Sequence, residues 1–122
     1  MTQEEKNLLL QDLCARLPYE VKVQYEDNIF TIDYISAMYE EIKLNTPNKY
    51  TIDVLEVKPY LFPLSSMTGQ LKAELFNLRI NIEDPFQDSL CEIDFYHRNH
   101  FDYRGLIEKG LAIDATGLNI YN

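Results

Sequence analysis

Asp94, His97 and His100 follow one another at intervals of three, and Asp102 comes two positions later. On a helix, residues i and i+3 share a face, so Asp94 meets His97 and His97 meets His100. Imidazole nitrogens and carboxylate oxygens are zinc donors, and a catalytic zinc takes three protein ligands and a water. The same residues offer a second chemistry. His97 beside Asp94 or Asp102 is a general base for a hydroxyl or thiol, with Ser65, Ser66, Ser89 and Cys91 as the nucleophiles at hand. Neither pattern is specific. His-x-x-His is short, no second cluster completes a closed metal site, and histidines also collect at helix C-termini to meet the negative end of the dipole. No catalytic, cofactor-binding or metal residue is assigned on this basis, and Asp94, His97, His100 and Asp102 stay as metal candidates only.

These residues sit in a block, Tyr96 to Gly105, that holds both histidines, Arg98, Arg104 and the rings of Tyr96, Phe101 and Tyr103. Phe101, Asp102, Tyr103 and Arg104 have the aromatic-plus-arginine composition of interface hot spots and form the candidate interaction patch. The competing reading is a tied-down C-terminal segment, with Arg104 paired to a carboxylate and Tyr103 stacked on it. Residues 81–96 carry Glu83, Asp84, Asp88, Glu92 and Asp94 without a lysine or arginine. That run reads as a solvated helix face with favourable dipole placement, or as a docking surface for a basic partner. Calcium is not supported, because the glycine and terminal glutamate of an EF-hand loop are missing. There is no Gly-x-Ser-x-Gly elbow, Walker loop or dinucleotide fingerprint, and four glycines leave little material for a phosphate loop.

The elements that position these residues are legible from caps and periodicity. Thr2-Gln3-Glu4-Glu5 is a capping box. Leu9, Leu10, Leu13, Cys14 and Leu17 then recur at helical spacing until Pro18, which predicts a helix over 3–17. Cys14 falls on its apolar face, as a small buried hydrophobe. Val21 to Tyr25 alternates at period two, Glu26-Asp27-Asn28 is a turn, and Ile29 to Ala37 is rich in β-branched and aromatic residues. Further strands are expected at Tyr39–Leu44 and Tyr50–Leu55, with Asn45-Thr46-Pro47-Asn48 as turn chemistry between them. Residues 35–44 also suit a short helix, since Ala37, Met38, Glu40 and Glu41 are helix formers. Pro59 and Pro63 bracket an extended connector, Tyr60-Leu61-Phe62. Ser65, Ser66 or Thr68 caps a second helix with Leu71, Leu75 and Leu78 inward and Phe76 at its flank. Residues 81–85 break it or add a short strand through Ile80 and Ile82. Ser89 to Glu92 is a second capping box, opening a helix from Leu90 to Asn99. The tail from Phe101 reads as a packed irregular segment with one helical turn at Leu106–Lys109. Tyr60, Phe62 and Phe76 read as core, and Tyr25, Tyr34 or Tyr50 as oligomer contacts on an open sheet face.

A chain of 122 residues with 46% apolar and 25% charged composition is expected to be one domain, 1–122, with enough apolar residues for a core. The net charge of −9 argues against direct nucleic-acid binding and against docking on anionic membranes. It permits a basic protein partner, a homo-oligomer, or mimicry of nucleic-acid charge. Two cysteines outside any Cys-x-x-Cys suit a reducing cytoplasm. The polar, acidic start reads as no signal peptide, and no apolar run is long enough to span a bilayer.

Three segments, Leu8–Tyr19 (LLLQDLCARLPY), Lys58–Thr68 (KPYLFPLSSMT) and Asn99–Ile113 (NHFDYRGLIEKGLAI), resemble a family of small proteins from gut Bacteroidales, their phages and mobile elements. The resemblance covers about a third of the chain and implies a source but no chemistry. Relatives carry a Glu-rich stretch after the SSMT motif. Gly69-Gln70-Leu71 departs from it, which implies a weaker first turn for the second helix. The sequence thus predicts an α+β domain: an N-terminal helix on a small antiparallel sheet, SH3-like in one arrangement, then two helices and an irregular tail. The expected function is a non-enzymatic interaction or accessory protein that recognises a protein partner by surface. A small metal-dependent or His–Asp enzyme and an acidic nucleic-acid mimic are the alternatives.

Overall fold

A computed structural model describes residues 2–121. Helix α1 spans Gln3–Arg16, and Thr2 caps it in the reciprocal box with Glu5. Its buried residues are Leu9, Asp12, Leu13 and Arg16, spaced i, i+3, i+4, i+7. Cys14, expected on the buried face, is exposed. The helix is turned so that a charged pair, Asp12 and Arg16, takes the interior positions beside Leu9 and Leu13.

Strands β1 (Lys22–Tyr25) and β2 (Asn28–Ser36) form an antiparallel hairpin closed at Tyr25↔Asn28. Glu26 and Asp27 both have positive φ, 48° and 64°. That is the two-residue geometry whose twist matches paired strands. β3 (Glu41–Leu44) pairs antiparallel with β2 from Ser36↔Glu41 to Ile32↔Leu44, with a register shift at Asp33. Residues 35–44 are therefore strand, loop and strand, and the helical option is excluded. Packing of Ile35, Ile42 and Leu44 against the core outweighs local helix propensity here. The strand expected over 50–55 is reduced to β4 (Ile52–Asp53). Asp53 then caps a short 3-10 turn, Val54–Glu56, in a second reciprocal box.

The segment between the prolines is strand β5 (Lys58–Pro63), not a connector. It pairs antiparallel with β1 and parallel with two short strands of the tail, β6 (Phe101–Asp102) and β7 (Ile113–Asp114). The sheet is mixed, in the order β4-β3-β2-β1-β5-β6 with β7 also on β5. The expectation of an antiparallel sheet fails because the parallel partners of Phe62 and Tyr60 are Phe101 and Ile113, far beyond any local pattern. Leu61 in β5 is fully buried with Val21, Val23, Ile42, Val54, Leu106 and Leu111.

Helix α2 (Gly69–Arg79) starts at the Thr68 cap, whose hydroxyl accepts from the Leu71 amide. The departure at Gly69-Gln70 does not cost the first turn. Leu75 is buried, and Phe76, placed with the core by its sequence, is 62% exposed. No strand forms through Ile80 and Ile82. Helix α3 spans Pro85–Arg98, starting earlier than the expected Leu90. Asp84 accepts from the Phe86 amide and Pro85 sits at the first helical position, a stronger start than the Ser89–Glu92 box now inside the helix.

Leu13 is fully buried and Cys14 is exposed on the same turn. Leu13→Ala is expected to lower unfolding free energy by about 3 kcal/mol, and Cys14→Ala by less than about 0.5 kcal/mol, in urea titrations. Similar losses at the two positions would refute this rotation of α1.

Candidate functional site

The chemistry-bearing block folds onto the inward face of α1. Asp12 and Arg16 have fully buried side chains and pair at 2.7 Å. The other Asp12 oxygen takes Arg104 Nε at 3.2 Å, and Arg16 Nη2 donates to the Phe101 carbonyl at 2.6 Å. Tyr103 lies between the two arginines, with guanidinium carbons 5.6 Å and 5.0 Å from its ring centre. Its hydroxyl meets His97 Nε2 at 2.6 Å. Asp102 is buried and accepts from the amides of Arg104, Leu106 and Ile107, so its carboxylate shapes the turn that follows.

Asp94, His97, His100 and Asp102 are not gathered into one constellation. Asp94 is exposed on α3, His97 faces Tyr103, and Asp102 is committed to backbone amides. His100 turns away with the chain at φ 62° and stacks on Tyr121 at 3.7 Å between ring centres. Among the described residues, no three His, Cys, Asp or Glu side chains are grouped to hold a metal ion. Of the four patch residues, Phe101 and Asp102 are buried and Tyr103 and Arg104 half-buried, so they do not present one exposed surface. Asp12 and Arg16, the partners that organise the block, were not among the sequence candidates. The signal for them was an Asp and an Arg at i, i+4 in register with Leu9 and Leu13.

Burial, with the nearby Arg16 charge, lowers the His97 pKa. Burial also pushes His100 down to about 4, helped by Arg16 and Lys22. Tyr121 is pushed up to about 12 by burial. Its hydroxyl donates to the Tyr60 carbonyl at 2.6 Å and accepts from the Lys22 amide at 3.0 Å, tying the tail to β5 and β1. Both imidazoles are thus biased towards the neutral form, and their side-chain neighbours are rings and a phenol rather than carboxylates.

The remaining features are surfaces. A pocket between β5, the start of α2, the end of α3 and the tail is lined by Phe62, Leu71, Arg98, His100, Phe101 and Tyr121, among others. The α2–α3 hairpin exposes Phe76, Leu78, Ile80, Phe86, Leu90 and Ile93. Arg79 of α2 clamps Asp88 at 2.7 Å and Glu92 at 2.6 Å on α3, which holds Asp88 below the usual carboxylate range. No protein-family model, curated protein or solved structure matches this chain.

Removing one partner of a buried ion pair strands the other charge. Asp12→Ala is expected to cost about 3–5 kcal/mol in urea unfolding, while Asp12→Leu with Arg16→Met together stays within about 2 kcal/mol of the natural chain. Equal losses in the two variants would show that the pair acts through packing alone.

An unfolded histidine titrates near 6.5, and folded His100 resists its proton until about pH 4. The unfolded state binds more protons across that window, so this stability is full above about pH 6.5 and is lost as pH falls towards 4. Allowing for solvent screening of a partly exposed ring, the loss is about 2 kcal/mol. Asn tolerates the same left-handed backbone. His100→Asn should therefore lose less stability than the natural chain between pH 7.5 and 4.5, and parallel losses would contradict the assignment.

Proposed function

We propose that this protein is a non-enzymatic recognition module that holds a basic, amphipathic protein segment on the outer face of its α2–α3 hairpin. The observation that carries the reading is the apolar stripe Phe86, Leu90 and Ile93, spaced i, i+4, i+7 on α3 and left facing solvent. Leu78, Ile82, Leu90 and Cys91 line a shared groove beside it, and Phe76 and Ile80 line the groove on the other side of Ile82. Contiguous apolar surface of this kind marks interaction sites. Its electrostatic setting selects the partner. Asp94 and Arg98 both border the groove, but Glu83 and Asp84 precede the stripe and the chain carries a net charge of −9, so the acidic side prevails. Two copies meeting face to face would bring like charges together, whereas a lysine- or arginine-rich segment would be steered in. Two free cysteines are consistent with action in a reducing cytoplasm.

The test is a photo-crosslinking residue at position 90 in the full chain, expressed in its source cell, with crosslinked peptides mapped by mass spectrometry. The expected product is a peptide from another protein with basic residues and apolar residues three and four apart. The crosslink should vanish in Ile93→Glu, an exposed change expected to shift stability by no more than about 0.5 kcal/mol. Crosslinks only to this chain itself, or to acidic segments, would overturn the proposal, as would none above background.

A further inference from the structure

The pocket at the end of β5 is chemically unlike the apolar grooves of the hairpin. Its volume is about 340 Å³, and Phe62, Leu71, Phe101 and Tyr121 supply its apolar and aromatic lining. That size and composition belong to small-molecule sites, which add a few convergent polar groups to an apolar cleft. Three such groups are present. Arg98 lines the pocket and has no carboxylate partner among the described residues, its guanidinium lying 5.9 Å from the Phe95 ring centre. The other arginines of the chain, Arg16, Arg79 and Arg104, are all ion-paired. Thr68, the N-cap of the 11-residue α2, brings the positive end of that helix to the same pocket.

The third group is His100. Its Nδ1 is buried and has no hydrogen-bond partner among the described residues. Buried polar atoms are almost always satisfied, and this unmet one belongs to a residue of the pocket wall. The backbone at His100 is also left-handed, at φ 62°, a conformation that strains a non-glycine residue and clusters at ligand sites. It is held there by the stack on Tyr121 and by its carbonyl, which accepts from the Phe62 amide at 2.8 Å.

The geometry points to this pocket as a binding site for a small aromatic carboxylate, with its ring against Phe62, Phe101 and Tyr121 and its carboxylate on Arg98 at the α2 N-terminus. A cation is disfavoured by Arg98 and the helix dipole, and a purely apolar ligand would leave Arg98 without a charge partner. The inference does not rest on the recognition face of the hairpin.

Phenylacetate serves as the probe, in a ¹H–¹⁵N NMR titration of the full chain, with phenethylamine as its cationic counterpart. The expected result is a saturable Kd of about 1 mM for phenylacetate, typical of so small a ligand. Shifts should centre on Phe62, Leu71, His100 and Tyr121, and phenethylamine should cause none there. Arg98 is exposed, so Arg98→Gln folds and should weaken phenylacetate about tenfold, while Leu90→Glu leaves it unchanged. No shift at about 10 mM probe, an equal response to phenethylamine, or an unchanged Kd in Arg98→Gln would each overturn the assignment.

Discussion

The Asp12–Arg16 ion pair is the interaction on which the rest of this structure depends. Both side chains are fully buried, and further hydrogen bonds must offset much of the desolvation cost of such a pair. Here much of that hydrogen bonding comes from the far end of the chain, while Arg16 Nη1 stays buried with no hydrogen-bond partner among the described residues. Arg104 supplies the second cation to Asp12, and the Phe101 carbonyl accepts from Arg16. The first helix and the segment after α3 are therefore obligatory partners. Misplacing either would leave a buried charge without compensation, a larger penalty than the loss of most apolar contacts. Tyr103 fills the space between the arginines, and its hydroxyl draws His97 into the same assembly.

Strand β5 does for the backbone what this cluster does for the side chains. It takes β1 in antiparallel register and both short tail strands in parallel. Two-residue strands have little stability of their own. β6 and β7 hold because Asp102 organises the intervening turn and Tyr121 anchors the end through Lys22 and Tyr60. Residues that look reactive in isolation, both histidines among them, are thereby used to close the tail onto the domain.

What is left for recognition lies on the helical hairpin and at the junction of α2, α3 and β5. The Arg79 clamp on Asp88 and Glu92 fixes how the two helices meet, and it neutralises the inner acids of the run at residues 83–94. The outer acids then surround apolar side chains that no part of the described chain covers. Arg98 borders both the groove beside Asp94 and the aromatic pocket, and among the described residues no carboxylate forms an ion pair with it. One acidic protein thus carries two surfaces of different character, one suited to a basic segment and the other to a small anion.

Local chemistry determined much of this protein from sequence alone. The Thr2 cap, the alternation of Val21–Tyr25 and the Glu26-Asp27 turn are short-range signals, and each element appears where its residues place it, while the choice of Thr68 over Ser65 and Ser66 as the α2 cap was left to the fold. Local signals also competed in two places. Asp84-Pro85 outranked the box at Ser89, and strand pairing outranked helix propensity over residues 35–44. The candidate site was legible as a cluster of types but not as an arrangement, since the partners of Tyr103 and Arg104 lie far upstream on α1. Tertiary structure alone decided that Cys14 faces outward and Arg16 inward, that Tyr60-Leu61-Phe62 is a central strand, and that His97 and His100 face different neighbours. The reason is physical: caps and periodicity act within one turn or one strand, while burial of a charge and pairing of a strand edge are settled only by what arrives from elsewhere in the chain.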